Sequence, residues 1–437
     1  MNINELDNIK RQGCSCGREH TCKIDDIIIG GGAINRLPEV VGRYSAKKVF
    51  VMSDRNTFKA AGERVLAVLS DNGIAYTSYV LDEAHPKPYE ATVGSFVLHY
   101  DYECDLIIAA GSGVINDCAK FLAAFGNTPY IIVATAPSMD GYASATSSME
   151  RDGVKVSINN KCADVIIGDT DILCQAPMRM LLAGLGDIVA KYTAICDWRI
   201  SNLVTGEYYC EEVAKLVRSS LKKCVDNAEG LTARDPKAVE AVFEAMVVSG
   251  VSMTYAGMSR PASGIEHSIS HICDMRALEF GTPSDLHGIQ CAVGTLIGVK
   301  CYEELKKLTP DREKALSYAR EFDYSKWSEV LVGFVGKGGE SMVKLEKKEH
   351  KYDLDKHRER LERIIAGWDT IKEIIEAELP TASELEALYD TVGMPKSLGD
   401  IGIDEDILPL TYAATRDIRD KYVQSRLMWD MGYPIIL

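Results

Sequence analysis

Three of the eight histidines fall close together: His267, His271 and His287. His267 and His271 are spaced i, i+4, so a helix carries both on one face. His287 follows the turn Thr282-Pro283-Ser284-Asp285 and opens the segment Gly288 to Leu305, which is helical by its periodicity. Neutral imidazoles offered from adjacent helix starts suit a divalent metal, and one carboxylate would complete three protein ligands with an open position. Asp187 has that character. In Gly184-Leu185-Gly186-Asp187-Ile188-Val189-Ala190-Lys191 an acid sits within an apolar, glycine-flanked helix, which is costly unless it is paired or ligated. A Lewis acid so held would polarise a ketone, or stabilise an alkoxide as hydride leaves carbon. The same donors serve a metal-dependent oxygenase or lyase, and histidines of core or surface remain the bland reading.

A hydride partner has a place upstream. The strand-like run Asp105 to Ala110 leads directly into Gly111-Ser112-Gly113-Val114-Ile115-Asn116-Asp117 and then into helical Cys118 to Phe125. Glycines let a backbone approach a diphosphate, and free N–H groups at the helix start point at it. Asn116 stands where the standard dinucleotide fingerprint has its third glycine, so an ordinary strand-to-helix turn competes with this reading. Asp54 ends another strand-like run, where it either accepts from ribose hydroxyls, disfavouring NADP, or caps the helix beside Asn56. Thr135-Ala136-Pro137-Ser138-Met139-Asp140-Gly141-Tyr142-Ala143-Ser144 also leaves a strand end, where small, polar and Gly/Pro residues commonly meet ligands.

Alternating elements must position these groups. Strands are expected at Lys47 to Asp54, Ile74 to Leu81, Asp105 to Ala110 and Tyr130 to Ala136, with helices at Asn56 to Leu69 and Tyr89 to Tyr100. Such alternation implies a mostly parallel sheet in a Rossmann-like α/β domain. After Pro177 strand signals become rare. Met178 to Asn202 reads as one long helix, followed by helices over Asp235 to Met258, Ser263 to Cys273 and Gly288 to Leu305, while 344–363 reads as a solvated helix face. The expected division is therefore an α/β domain over 1–177, including a 1–25 extension, and an all-helical domain over 178–437.

Composition narrows the function classes. The 64 acidic and 49 basic side chains leave a formal charge of −15 on 437 residues, which argues against nucleic acid or an anionic membrane as a partner. No apolar run reads as a membrane span, and Met1 to Asp7 lacks a secretory pattern. The 13 cysteines, among them Cys118, Cys196 and Cys291 in apolar surroundings, suit reduced thiols of a cytoplasmic protein. Cys14-Ser15-Cys16-Gly17-Arg18-Glu19-His20-Thr21-Cys22 offers four donors but lacks the paired C-x2-C spacing of structural zinc sites, so reduced thiols are the default reading there.

Together, the segments GSGVINDCAKF, TAPSMDGYAS, GLGDIVAKYTA, SRPASGIEHSISH and LHGIQCAVGT resemble the sn-glycerol-1-phosphate dehydrogenases. The likeness is to their bacterial branch, within the iron-type alcohol dehydrogenase and dehydroquinate synthase-like superfamily, and runs from about Ile27 to at least Thr295. It implies a dehydroquinate synthase-like fold and a metal (zinc, nickel or iron) held by Asp187, His267 and His287. It further implies substrate contacts from His271, Asp140 and Asp187. NAD or NADP contacts would come from Asp54, Gly111, Ser112, Gly113, Val114, Ile115, Thr135, Ala136, Pro137, Ser138 and Ser144. The implied reaction is reduction of dihydroxyacetone phosphate, a small phosphorylated three-carbon ketone, by a homo-oligomer. Lys191 stands where iron-type relatives can have a histidine, and Lys191 or Arg260 is expected at the substrate phosphate. The alternatives are a glycerol dehydrogenase or other iron-type alcohol dehydrogenase, a sugar-phosphate cyclising lyase, and a dinucleotide-sensing protein that has kept the fold.

Overall fold

The computed structural model describes residues 13–83 and 85–434; the start of the chain, Met1 to Asp7, lies outside them. The chain forms two compact units, one of residues up to Ile188 together with Lys215–Met258, the other of Val189–Ala214 and Ser259–Leu437. The helices Met178–Val189 and Pro236–Ala256 fall largely in the sheet-bearing unit.

The first unit is built on a six-stranded sheet of order β1-β8-β5-β4-β2-β3. Its strands are β1 Asp26–Gly30, β2 Val49–Asp54, β3 Tyr76–Leu81, β4 Leu106–Gly111, β5 Tyr130–Ala134 and β8 Val165–Asp169. All neighbouring pairs run parallel. β2, β4, β5 and β8 are buried along their whole length, as a parallel sheet covered on both faces requires. One face is closed by Val40, Val65 and Leu69 from the helices Leu37–Arg43 and Glu63–Asp71. On β8, an added Cβ at Gly168 would stand 2.2 Å from Phe243, which marks how closely Pro236–Ala256 approaches the sheet. That helix is long and apolar enough to cross a membrane by composition, contrary to the sequence expectation, yet 78% of its apolar window is buried.

A hairpin, β6 Thr146–Arg151 and β7 Val154–Asn159, turns at Asp152 and Gly153, both at positive φ. Asp-Gly is the pair that such two-residue turns favour. Sequence reasoning missed this hairpin, and it also missed β1 and β8.

The second unit is helical. Lys191–Thr205, Ile265–Phe280 and His287–Leu305 run through its interior. The expected single helix Met178 to Asn202 is instead two, Met178–Val189 and Lys191–Thr205. Asp197, on the second of these, ties the interior together. Its carboxylate accepts from the N–H of Ile265 (2.8 Å) and of Gln424 (2.9 Å) and from the Tyr302 hydroxyl (2.5 Å). Burial pushes its carboxyl up to about 7 despite those donors. Asp197 thereby anchors the start of the helix that carries His267 and His271.

Two glycines test this packing. A Cβ at Gly184 would stand 1.9 Å from the Pro137 carbonyl oxygen, whereas one at Gly94, inside the helix Glu90–His99, meets nothing within 4 Å. We expect Gly184→Ala to destabilise the fold by about 1–3 kcal/mol through overpacking. Gly94→Ala should stabilise it by about 0.5–1 kcal/mol through helix propensity. Denaturant midpoints measure both, and equal midpoints would refute the close approach.

Candidate active site

The dinucleotide candidates gather at the carboxyl edge of the parallel sheet, in the first unit. β4 ends at Gly111, where any Cβ would collide with Ile115 at 2.3 Å, so only glycine lets the helix Gly113–Gly126 start this close to the strand. Ser112 makes no side-chain cap and the first helical turn holds no acid. The N–H groups there are thus arranged for an anion. Asn116, in place of a third glycine, is buried and donates from Nδ2 to the Gly141 carbonyl at 3.3 Å, tying the turn to the loop after β5. Asp54 caps its helix: Oδ1 accepts from the N–H of Asn56 and Thr57 at 2.8 and 2.9 Å, and Thr57 completes the capping box.

The loop Thr135 to Ser144 is held from several sides. Lys120, fully buried, donates to the carbonyls of Gly141 (2.6 Å) and Thr146 (2.8 Å) and pairs with Asp117 at 3.3 Å. Burial pushes the Asp117 carboxyl up, and the Lys120 charge opposes that shift. The Tyr142 hydroxyl donates to Ala136 O at 2.6 Å, and the Ser144 and Thr146 hydroxyls share a 2.8 Å hydrogen bond. Sequence reasoning passed over Lys120. Its signal was a lysine inside an otherwise apolar helix segment, Cys118-Ala119-Lys120-Phe121-Leu122.

The same loop meets the acid singled out upstream of Lys191. The Asp140 N–H donates to Asp187 Oδ2 at 2.9 Å, and the Ser249 hydroxyl donates to Asp140 Oδ2 at 2.8 Å. Asp187 is completely buried. Two glycines permit the approach: Gly184 under Pro137, and Gly250, whose Cβ would lie 2.9 Å from Ala143 and from the Asp140 carbonyl.

In the second unit the three histidines do come together. Ring centroids are 4.9 Å apart for His267–His287, 5.7 Å for His271–His287 and 6.4 Å for His267–His271. Nδ1 of His267 lies 2.8 Å from Oε1 of Glu266, a buried acid. Burial works against the Glu266 charge, but the hydrogen bond with His267, with those from Thr193 Oγ1 (2.6 Å) and the Gly264 N–H (2.6 Å), holds its carboxyl below the usual range. Nδ1–H of His267 therefore donates to the Glu266 carboxylate, which leaves Nε2 as the lone-pair donor, the arrangement that orients metal-binding histidines. His287 Nδ1 meets the Ser270 hydroxyl at 3.0 Å, and Ser270 is held in turn by Gln290 at 3.1 Å. Cys291, read from sequence as a core thiol, brings Sγ to 3.6 Å from His287 Nε2 and forms with His267 and His287 a compact donor group. His287 and Cys291 are one helical turn apart, a signal that was present in the sequence.

The turn Ser259-Arg260-Pro261-Ala262-Ser263-Gly264 precedes this helix and collects cations. Buried Lys191 donates to Ala262 O at 3.2 Å. Arg260 is also buried. Its Nε and Nη2 grip Glu207 at 2.6–3.0 Å and Nη2 reaches Tyr422 O at 2.7 Å, leaving buried Nη1 without an acceptor among the described residues. Lys421, which sequence reasoning missed, donates to Ser259 Oγ at 2.8 Å and Ser263 O at 3.1 Å. Desolvation, with repulsion from Arg260, brings its amine down to about 7.

A parallel α/β unit with a glycine turn, and a helical unit presenting oriented imidazoles, define a dehydrogenase of the iron-type alcohol dehydrogenase class. A profile of the iron-containing alcohol dehydrogenase family matches residues 28–177. The iron-containing alcohol dehydrogenase of Thermococcus thioreducens superposes with a TM-score of 0.61 at 16% identity, covering 94% of this chain and 99% of that one. Relatives named glycerol-1-phosphate dehydrogenase (NAD(P)+) are closer in sequence. That of Geobacillus thermodenitrificans is 30% identical over 404 residues, 91% of each chain. That of Methanothrix thermoacetophila is 38% identical over 273 residues, 62% of this chain and 75% of the relative. The chain belongs to the glycerol-1-phosphate dehydrogenase family, an oxidoreductase family within the dehydroquinate synthase-like fold, as its motifs suggested.

If Glu266 orients His267, Glu266→Gln should lower divalent-metal affinity about 10–100-fold. Competition with a chromogenic chelator measures this, and unchanged affinity would remove Glu266 from the site.

Proposed function

We propose that the chain reduces dihydroxyacetone phosphate to sn-glycerol 1-phosphate, reversibly, with NADH or NADPH. The observation that carries the reading is the pair His267 and His287, each with Nδ1 engaged by Glu266 or Ser270, in a chain of this family. The family resemblance supplies Asp187 as the third ligand of one divalent ion. The donor chemistry fits, since a buried carboxylate and two oriented imidazoles suit zinc, nickel or iron alike. When bound, the ion supplies Lewis acidity at the carbonyl oxygen and the nicotinamide supplies hydride.

The protein's own side chains do the remaining work. His271, one helical turn from His267, contacts the substrate and delivers the proton that the carbonyl oxygen takes up as hydride reaches carbon. Asp140, fixed by Ser249, binds a substrate hydroxyl. Gly111, Ser112, Gly113, Val114 and Ile115 receive the diphosphate of the cofactor at the helix start. Thr135, Ala136, Pro137, Ser138 and Ser144 would hold the rest of the dinucleotide, and Asp54, which caps its helix, would accept from the ribose. Lys191, Lys421 and Nη1 of Arg260 hold the substrate phosphate. Further parts of the proposal are a cytoplasmic setting, supported by 13 cysteines that are all thiols, and a homo-oligomeric assembly.

Turnover followed at the nicotinamide absorbance should favour dihydroxyacetone phosphate over dihydroxyacetone by about 10²-fold or more in kcat/KM, the worth of two charge-assisted contacts. Equal values would mean an alcohol dehydrogenase for unphosphorylated substrates, and no net absorbance change would mean a lyase. His267→Ala should lose metal and activity together while remaining folded by circular dichroism.

Lys421 adds a pH signature. Its amine is charged below about 7 and neutral above. KM for dihydroxyacetone phosphate should therefore rise as pH climbs through 7, with Lys421→Met raising KM at low pH and flattening the profile. The unfolded chain keeps this proton to higher pH, so the same group makes the fold gain stability on the alkaline side. A Lys421→Met profile that tracks the wild type would exclude the lysine.

A further inference from the structure

The N-terminal segment carries chemistry that the proposed reaction does not use. Cys14 Sγ, Cys16 Sγ and a ring nitrogen of His20 all lie within 4.8 Å of one another. Their spacing, C-x-C-G-x2-H, is closed by a turn in which the Gly17 N–H donates to Cys14 O at 3.0 Å and Gly17 takes φ +77°, a left-handed conformation that glycine adopts without strain. His20 is buried, with a relative exposure of 2%. Its Nδ1 lies 2.8 Å from the Tyr255 carbonyl oxygen, an acceptor only, so Nδ1 carries the proton and Nε2 the lone pair. That lone pair faces Cys16 Sγ at 3.3 Å.

This is the pattern of a metal-binding histidine, whose second nitrogen is pinned by a backbone carbonyl. The spacing also fits. Zinc–sulfur and zinc–nitrogen bonds of about 2.3 and 2.0–2.1 Å at a tetrahedral angle place the two ligand atoms roughly 3.6 Å apart. Cys22, the fourth candidate donor in the sequence, instead hydrogen-bonds Cys162.

We propose that Cys14, Cys16 and His20 hold a second divalent ion of the zinc type, structural in role and separate from the proposed catalytic one. Two thiolates and an imidazole select zinc over harder ions, and a water or a further thiolate fills the fourth position. The ion fastens the N-terminal segment to the carboxyl end of the helix Pro236–Ala256, where Arg18 also donates to Ala256 O at 3.3 Å. That helix carries Ser249 and Gly250, which support Asp140, so the staple braces the loop after β5.

Cobalt loading of the full-length chain tests the idea independently of turnover. Wild-type protein should show thiolate-to-cobalt charge-transfer absorption, most of which the double variant Cys14→Ser/Cys16→Ser loses. His267→Ala should retain about one equivalent of zinc by elemental analysis, and the triple variant Cys14→Ser/Cys16→Ser/His267→Ala should retain none. Chelation should lower the melting temperature of His267→Ala but not of the triple variant. His20→Asn, a milder change, should weaken zinc retention at least tenfold. If the cysteine substitutions alter neither metal content nor the cobalt spectrum, the segment is a pair of thiols beside a histidine and the site does not exist. Failure of this site leaves the dehydrogenase reading intact, because that reading stands on His267 and substrate turnover.

Discussion

The Pro137 carbonyl comes so near the Cα of Gly184 that no side chain fits between them, and much of the first unit's chemistry depends on that approach. It lays the loop after β5 along the helix carrying Asp187 and brings the Asp140 N–H within 2.9 Å of the Asp187 carboxylate. A buried carboxylate is costly unless donors or a cation satisfy it. Here a backbone donor satisfies one oxygen while Gly250 admits the loop from the other side. One loop thereby joins the residues proposed for cofactor, substrate and metal, and a displacement of one ångström would be felt by all three.

Polar groups elsewhere do comparable positioning work. Asp197 fixes the start of the histidine-bearing helix, Glu266 fixes the tautomer of His267, and Lys120 fixes Gly141 and Thr146. Each is buried, and each costs solvation that only multiple hydrogen bonds offset. Apolar residues of similar size would pack as well, but none would set a direction. These three buried groups fix the directions of the backbone and side chains around them.

How much of this was legible in the sequence follows from how far apart the partners lie. The histidine cluster was legible because i, i+4 spacing and a helix start are local facts. Gly111 was legible because a strand, a glycine and a helix follow one another directly. The six-stranded sheet was only partly so: β1 and β8 are short runs without alternation, and β6–β7 was overlooked although Asp152-Gly153 signalled it. The break at Ala190 has no proline or glycine to announce it, and both halves share an apolar pattern. Arg260 was named from its place before Pro261, but its partners and Lys421 were beyond reach for another reason. Arg260 is committed to Glu207 and Tyr422, and Lys421 has its amine lowered by burial and then by Arg260, all through residues distant in the chain.

The cations around Ser259 to Gly264 also explain how a chain of charge −15 would receive a phosphate. At long range an acidic protein repels a dianion, so the attraction must be local and desolvated. Glu207 neutralises most of Arg260, which leaves Lys191 and Lys421 as the charges a phosphate would feel. In the free protein burial, with a smaller repulsion from Arg260, lowers the Lys421 amine. On the proposed reading, a bound phosphate would stabilise the protonated Lys421 amine. An unphosphorylated ketone would gain nothing from that contact. Discrimination between the two substrates would, on the same reading, come from these cations.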